Sequence, residues 1–263
     1  MNRIPLPPWG LTHLQYGVLG LVFLGSVAAF TLLRNDVSDK VLDELLAESL
    51  ALYGDISSYE HAVETLALFP DRSLSIEGIY RVDRDRMRFE AVSTTTLAFP
   101  GGPSDISFSL QNRALGRQVY VHVYTSSPVL KGSIPSHEEW QHFSADAIPE
   151  SYRGIAVPGP ILDNLLVLSE KGAYLSLHER PTRITEDGRA LVRYVFNRSS
   201  REPGPGTLQA LLGRVGNGSV TLWIDESTHK PVRLVFAGHD YRSTTTLSHL
   251  GETLPIEPPP LAR

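Results

Sequence analysis

The 263-residue chain contains no cysteine. That excludes disulfides, thiolate metal sites and thiol nucleophiles, and it removes the acylated cysteine on which a bacterial lipoprotein depends. It does not choose a compartment, since exported bacterial domains also do without cysteine. Basic charge is not in excess either. Lys and Arg number 24 against 29 Asp and Glu, giving −5, so the broad basic face of a nucleic-acid binder is not expected. Catalytic signatures are missing as well. There is no Gly-x-Ser-x-Gly elbow, and Gly204–Gly206 is followed by no Gly-Lys-Ser/Thr, so it is not a phosphate loop. His137 and His142 in HEEWQH stand five apart; on a helix they diverge by about 140° and cannot share one metal. His239-Asp240 and the Asp225/His229 pair have no serine placed with them. No catalytic residue, metal or cofactor is nominated, and the chain is not read as an enzyme.

What is present begins with one long apolar run. Between Arg3 and Arg34 no residue carries a formal charge. The core of that stretch, residues 14–33 (LQYGVLGLVFLGSVAAFTLL), matches the ~20 apolar residues that cross ~30 Å of hydrocarbon as a helix. Trp9 and Tyr16 suit an interfacial belt, and Gly17, Gly20 and Gly25 suit a membrane helix. The expectation is a short tail over 1–13 and a transmembrane signal-anchor over 14–33. The alternative is a cleaved signal, because Ser26-Val27-Ala28 supplies a small-residue exit before Ala29. The apolar run continues through Phe30, Leu32 and Leu33, which favours the anchor. The remainder, residues 37–260, is expected outside the cytoplasm, giving a single-pass protein of the cytoplasmic membrane.

The composition of the whole chain, 41% hydrophobic and 20% charged, is that of a folded protein. Val37 to Tyr53 has a helical period, with Val41, Leu42, Leu45, Leu46, Ser49, Leu50 and Tyr53 on one face. A second helix is expected from Ser57, where Ser57 and Glu60 have capping-box spacing, through Val63, Leu66 and Ala67 to Pro70. From Ser73 the period becomes two. Leu74, Ile76, Gly78, Tyr80 and Val82 alternate with polar residues, then Met87, Phe89 and Ala91 after a turn at Asp83–Asp85. Ile106, Phe108 and Leu110 form the next strand. Val119 to Tyr124 follows, bulky on both faces and therefore expected to be central. Ser126–Pro160 reads as a long connection, and Pro160 opens a short helix to Leu168. Strands are expected over Tyr174–Thr185, Arg189–Asn197, Ser219–Asp225, around Val232–Phe236 and over Tyr241–Leu250, with a short helix at Thr207–Leu212. The Pro255–Pro260 end is extended. Arg84 to Arg88 read as a solvated strand face rather than a lipid-headgroup site. Roughly nine strands in succession imply one antiparallel sheet packed against helices.

The strand Ser219-Val220-Thr221-Leu222-Trp223-Ile224-Asp225, the Pro231-Val232-Arg233-Leu234 strand and the terminal Pro-Ile-x-x-Pro resemble the lipoprotein-carrier superfamily. Its members include LolA-like periplasmic carriers and LppX/LprG-type lipoproteins. The upstream order is similar too: an amphipathic helix, a strand with Gly78 and Tyr80, then Val119-Tyr120-Val121-His122 followed by Trp140. The resemblance implies an α+β fold, mainly antiparallel β, with a strongly curved, unclosed half-barrel sheet covered by helices. It also implies a lipid or acylated ligand between sheet and helices. The residues expected to face it are Ile76, Tyr80, Phe89, Phe108, Val121, Leu222, Leu234 and Phe236, although the other parity of each strand would present the opposite set. The departure is the apparent anchor in place of an acylated cysteine, which would hold the domain at one bilayer. A second reading keeps the fold but makes it a sensor or assembly domain, binding protein partners in a membrane complex. No nucleic-acid partner is expected.

Overall fold

The computed structural model describes residues 40–101, 105–125, 127, 139–149, 175–198 and 218–260. The expected tail, the 14–33 anchor, His137, and the helices at Pro160–Leu168 and Thr207–Leu212 lie outside the described residues. Two compact units are present, Met1–Leu45 and Leu46–Arg263. A helix over residues 40–55 (α1) runs across that boundary. In the first unit Lys40 pairs with Glu44 one helical turn on, at 3.8 Å. In the second, Ser49 and Tyr53 are the buried positions of the helix, one turn apart, and Glu48 bonds His229 Nδ1 at 2.7 Å.

The second unit is built on a single sheet of twelve strands among the described residues. They are β1 (Ser58–Leu68), β2 (Ser73–Asp83), β3 (Arg88–Ala98), β4 (Ile106–Leu115), β5 (Gln118–Thr125), β6 (Gln141–Ser144), β7 (Leu175–Leu177), β8 (Thr182–Glu186), β9 (Arg189–Arg198), β10 (Ser219–Asp225), β11 (Pro231–Ala237) and β12 (Tyr241–Ser248). The spatial order is β6-β5-β4-β3-β2-β1-β12-β11-β10-β9-β7, with β8 also pairing β9. Every pairing is antiparallel. The sheet is therefore mainly a meander, folded back once so that β12 lies against β1. It is curved and unclosed: β6 ends one side, and β7 with β8 ends the other.

Three expectations are corrected. The segment from Ser58 is not a helix but the strand β1. Its Ala, Leu and Glu favour helix locally, yet Tyr59, His61 and Val63 are buried while Ala62, Glu64 and Leu66 are exposed. That is a period of two, and β1 gains ladder bonds from both β2 and β12; tertiary pairing overrides weak propensity. The strand β5 is not central. It is second from the edge, with Tyr124 54% exposed. Its outward rings are covered by neighbours rather than by a layer: Tyr120 stacks on His142 at 4.7 Å and His122 lies 5.6 Å from Trp140. Tyr174–Thr185 is two short strands, β7 and β8, because the chain leaves the ladder at residues 178–181 and Pro181 has no N–H to give it. The β8–β9 turn, Asp187-Gly188, has positive φ at both residues (50° and 75°), the backbone of a two-residue hairpin turn.

Candidate functional site

Register assigns every strand residue to one of two faces. On one stand Tyr59, His61 and Val63 of β1, opposite Val82, Tyr80 and Gly78 of β2. The same face continues through Phe89, Ala91 and Ser93 of β3, then Ala114, Asn112 and Leu110 of β4, then Val119, Val121 and Val123 of β5. In the other direction it passes through Leu247 and Thr245 of β12, Leu234 and Phe236 of β11, Leu222 and Val220 of β10, and Tyr194 and Phe196 of β9. All of Ile76, Tyr80, Phe89, Phe108, Val121, Leu222, Leu234 and Phe236 fall on this face. The pairing sets these eight side chains together on one face of the sheet. In β1–β6 and β10–β12 this face carries no Asp, Glu, Lys or Arg; those residues all stand on the other side.

Burial along the apolar face runs from dry to half-open. Near the start of β1, residues Tyr59, His61, Val63, Phe89 and Val121 are buried, and Tyr53 of α1 meets Tyr59 with ring centroids 6.2 Å apart. Toward the other strand ends in β2–β4, Leu74, Ile76, Leu97, Ile106 and Phe108 are only half-buried. The β9–β11 arm stays closed: Tyr194, Leu222, Leu234 and Phe236 are all buried. The outcome is an apolar face, hereafter the trough, that is buried toward the start of β1 and half-exposed toward the other strand ends of β2–β4.

The buried end of this face holds a polar group outside the residues expected to face a ligand. His61 is 2% exposed, and neither ring nitrogen has a hydrogen-bond partner among the described residues. Its ring stacks on Tyr80, centroids 4.9 Å apart and 4° from parallel, with Tyr59 at 5.9 Å. Burial pushes the imidazole down to about 4, against a smaller upward pull from Glu60, so at neutral pH it is uncharged. Burial also pushes the Tyr80 phenol up, its hydrogen bond with Ser93 opposing. His61 sits in a segment whose spacing also fits a helix; the Tyr59-His61-Val63-Thr65 alternation is the sequence signal that marks it.

Gly78 makes that arrangement possible. A Cβ there would lie 2.8 Å from Ser93 Cβ, 3.0 Å from Tyr80 Cε2 and 3.1 Å from the Val92 carbonyl oxygen. Tyr80 thus occupies the space that a side chain at 78 would take, covering the glycine backbone. Gly78→Ala is expected to destabilise the fold by about 1–2 kcal/mol, overpacking outweighing the entropy gained in the unfolded chain. A denaturation midpoint lowered at unchanged slope checks it.

The opposite face holds a charged ladder. Glu60, Arg81, Glu90 and Arg113 are directly opposed across β1 to β4. Arg81 donates to Glu60 at 2.7 Å and to Glu90 at 2.8 Å, and Arg113 pairs with Glu90 at 2.7 Å. The chain end lies over it. Arg88 and Arg113 donate to the carbonyls of Ile256 and Glu257, and Leu254 and Ile256 are buried. Arg84 to Arg88 are therefore not one solvated face. Arg84 is half-buried, donates to the Ile56 carbonyl and covers the Tyr59 ring at 5.5 Å, while Arg86 is exposed beside Asp83. Asp225, weighed above with His229, is structural. Burial would raise its carboxyl, but bonds from the Ser227 hydroxyl and the Ser227 and Thr228 amides outweigh that and hold it below its ordinary value.

No protein-family model matches the chain, and no curated protein matches it in sequence. Solved structures do. LprF from Mycobacterium bovis is 17% identical with a TM-score of 0.43, the match covering 83% of this chain and 96% of that one. The lipoprotein LppX of Mycobacterium tuberculosis is 15% identical with a TM-score of 0.42, over 82% and 99%. A DUF1329 family protein from Desulfovibrio piger is 10% identical with a TM-score of 0.25, over 81% and 92%. LppX, named in the resemblance read from the sequence, thus recurs among the solved structures. The strand order and register described above, not these likenesses, carry the reading of the site.

Proposed function

We propose that the chain is a membrane-anchored, extracytoplasmic domain that holds a lipid or other hydrophobic ligand on the apolar face of its sheet. The observation that carries this reading is the separation of charge. One face of β1–β6 and β10–β12 is free of charged residues, yet its Leu74, Ile76, Leu97, Ile106 and Phe108 are left half-buried at one end. Large apolar side chains left partly in water forgo about 25 cal/mol per Å2. An acyl chain laid along them would recover it, and concave apolar sites with few polar groups are the usual form of such a pocket. The anchor rests on the uncharged 14–33 stretch. Held there, the domain presents or senses a ligand at one bilayer and does not ferry it between two. The ligand-facing side chains are those of Ile76, Tyr80, Phe89, Phe108, Val121, Leu222, Leu234 and Phe236.

The test is photo-crosslinking of the full chain in vesicles by a diacyl lipid carrying a diazirine on its acyl chain. Labelled peptides are expected from residues 73–98 and 106–115, in addition to any from 14–33. Labelling confined to 14–33 would overturn ligand binding and leave the sensor or assembly reading, in which the trough is a packed core.

A further inference from the structure

We infer that His61 is a polar anchor that hydrogen-bonds an uncharged oxygen, an ester carbonyl or a hydroxyl, of the acyl ligand lying in the trough. The inference rests on the lipid-binding reading and narrows its ligand class. Tyr80 stacks on one face of the imidazole and Tyr59 lies beside it, tilted by 36°, and the two nitrogens lie on the ring edge, where an in-plane partner would reach them. Neither has one among the described residues. A buried, unsatisfied polar group is costly and rare in a folded protein, and each instance asks for a missing partner. The neutral ring presents one donor and one acceptor, so a hydroxyl or a carbonyl oxygen satisfies it equally well.

The surroundings choose between charged and uncharged partners. Along the row of His61, the register gives Tyr80, Ala91, Asn112 and Val121. The small Ala91 lies between Tyr80 and Asn112 in that row. The neighbouring rows add hydroxyls as polar groups, those of Tyr59, Ser93, Thr245 and Tyr194. With no cation on this face in β1–β6 or β10–β12, a carboxylate or phosphate would be buried without compensation. The trough takes the chain and its neutral linkage; a charged headgroup stays at the rim.

The experiment uses the full chain held in amphipol, with a pre-bound anthracene-labelled acyl probe displaced by 1-monopalmitoylglycerol, palmitate or hexadecane at pH 7.5. In the parent protein the monoglyceride is expected to displace the probe at lower concentration than palmitate. His61→Phe keeps a ring to stack on Tyr80 and removes both nitrogens. It is expected to weaken 1-monopalmitoylglycerol about tenfold, the worth of one hydrogen bond, and to leave hexadecane unchanged. His61→Gln, which restores a donor and an acceptor, recovers part of the loss. The imidazole 15N shifts of His61 move with the monoglyceride and not with hexadecane. Equal affinities of the parent and His61→Phe for the monoglyceride, or parallel losses for both ligands, overturn the anchor, the ring then being structural or satisfied by a buried water. Failure of every ligand to displace the probe refutes the lipid-binding reading itself.

Discussion

Replacing Glu90 with alanine is expected to lower the unfolding free energy by about 3 kcal/mol, the range for removing one partner of a buried ion pair. The Glu90 side chain is 7% exposed, so solvent screens it little, and its two oxygens serve Arg81 and Arg113 on either side. Without it two guanidiniums oppose each other beneath the chain end that Arg113 holds through the Glu257 carbonyl. Glu60→Ala is the internal comparison. Its side chain is 19% exposed, and Arg81 keeps Glu90 when it is removed, so about 1 kcal/mol is expected. Urea denaturation of the two variants measures both. A Glu90→Ala loss no larger than that of Glu60→Ala would mean that the ladder is a surface network and that the chain end is held by Leu254 and Ile256 alone.

The second large effect is on pH dependence. His61 titrates near 4 in the folded protein against 6.5 as a free side chain. Between those values the unfolded chain binds a proton that the folded chain does not, so stability rises with pH at about 1.4 kcal/mol per unit. The contribution is complete above pH 6.5 and is lost as the pH falls toward 4, a total of about 3 kcal/mol. Carboxylates add their own acid dependence, so the informative quantity is a difference. Unfolding free energies of the parent and of His61→Phe, measured from pH 7 to pH 4.5, should converge or cross as the pH falls, since the variant lacks this loss. Parallel curves would place the imidazole in contact with water.

Several parts of the fold were legible without coordinates because their signals are local. The alternation in Leu74–Val82 and Phe89–Ala91 marks strands whose neighbours differ in polarity, and Ser219–Asp225 matches β10 at both ends. Leu222, Leu234 and Phe236 share a face because each strand keeps a period of two once its register is set. In β1, Val63, Leu66 and Ala67 fall at helical spacing, while Tyr59, His61 and Val63 keep a strand period. Only pairing to β2 and β12 separates the two. With that strand goes His61, a buried imidazole on the apolar face.

The sequence by itself determined a mainly β chain with an uncharged stretch at residues 14–33, no cysteine chemistry and no excess of basic charge. Composition and short-range period are properties of neighbouring residues, and they survive without knowledge of the fold. Which residues meet is a different matter. That Glu60, Arg81, Glu90 and Arg113 form one ladder, that Tyr80 fills the space over Gly78, and that His61 is left dry beneath it depend on the register of four strands and on their order in space. Register is set by many pairings at once, with β12 returning to β1 across most of the chain. No local window contains that information, and it is there that the site is made.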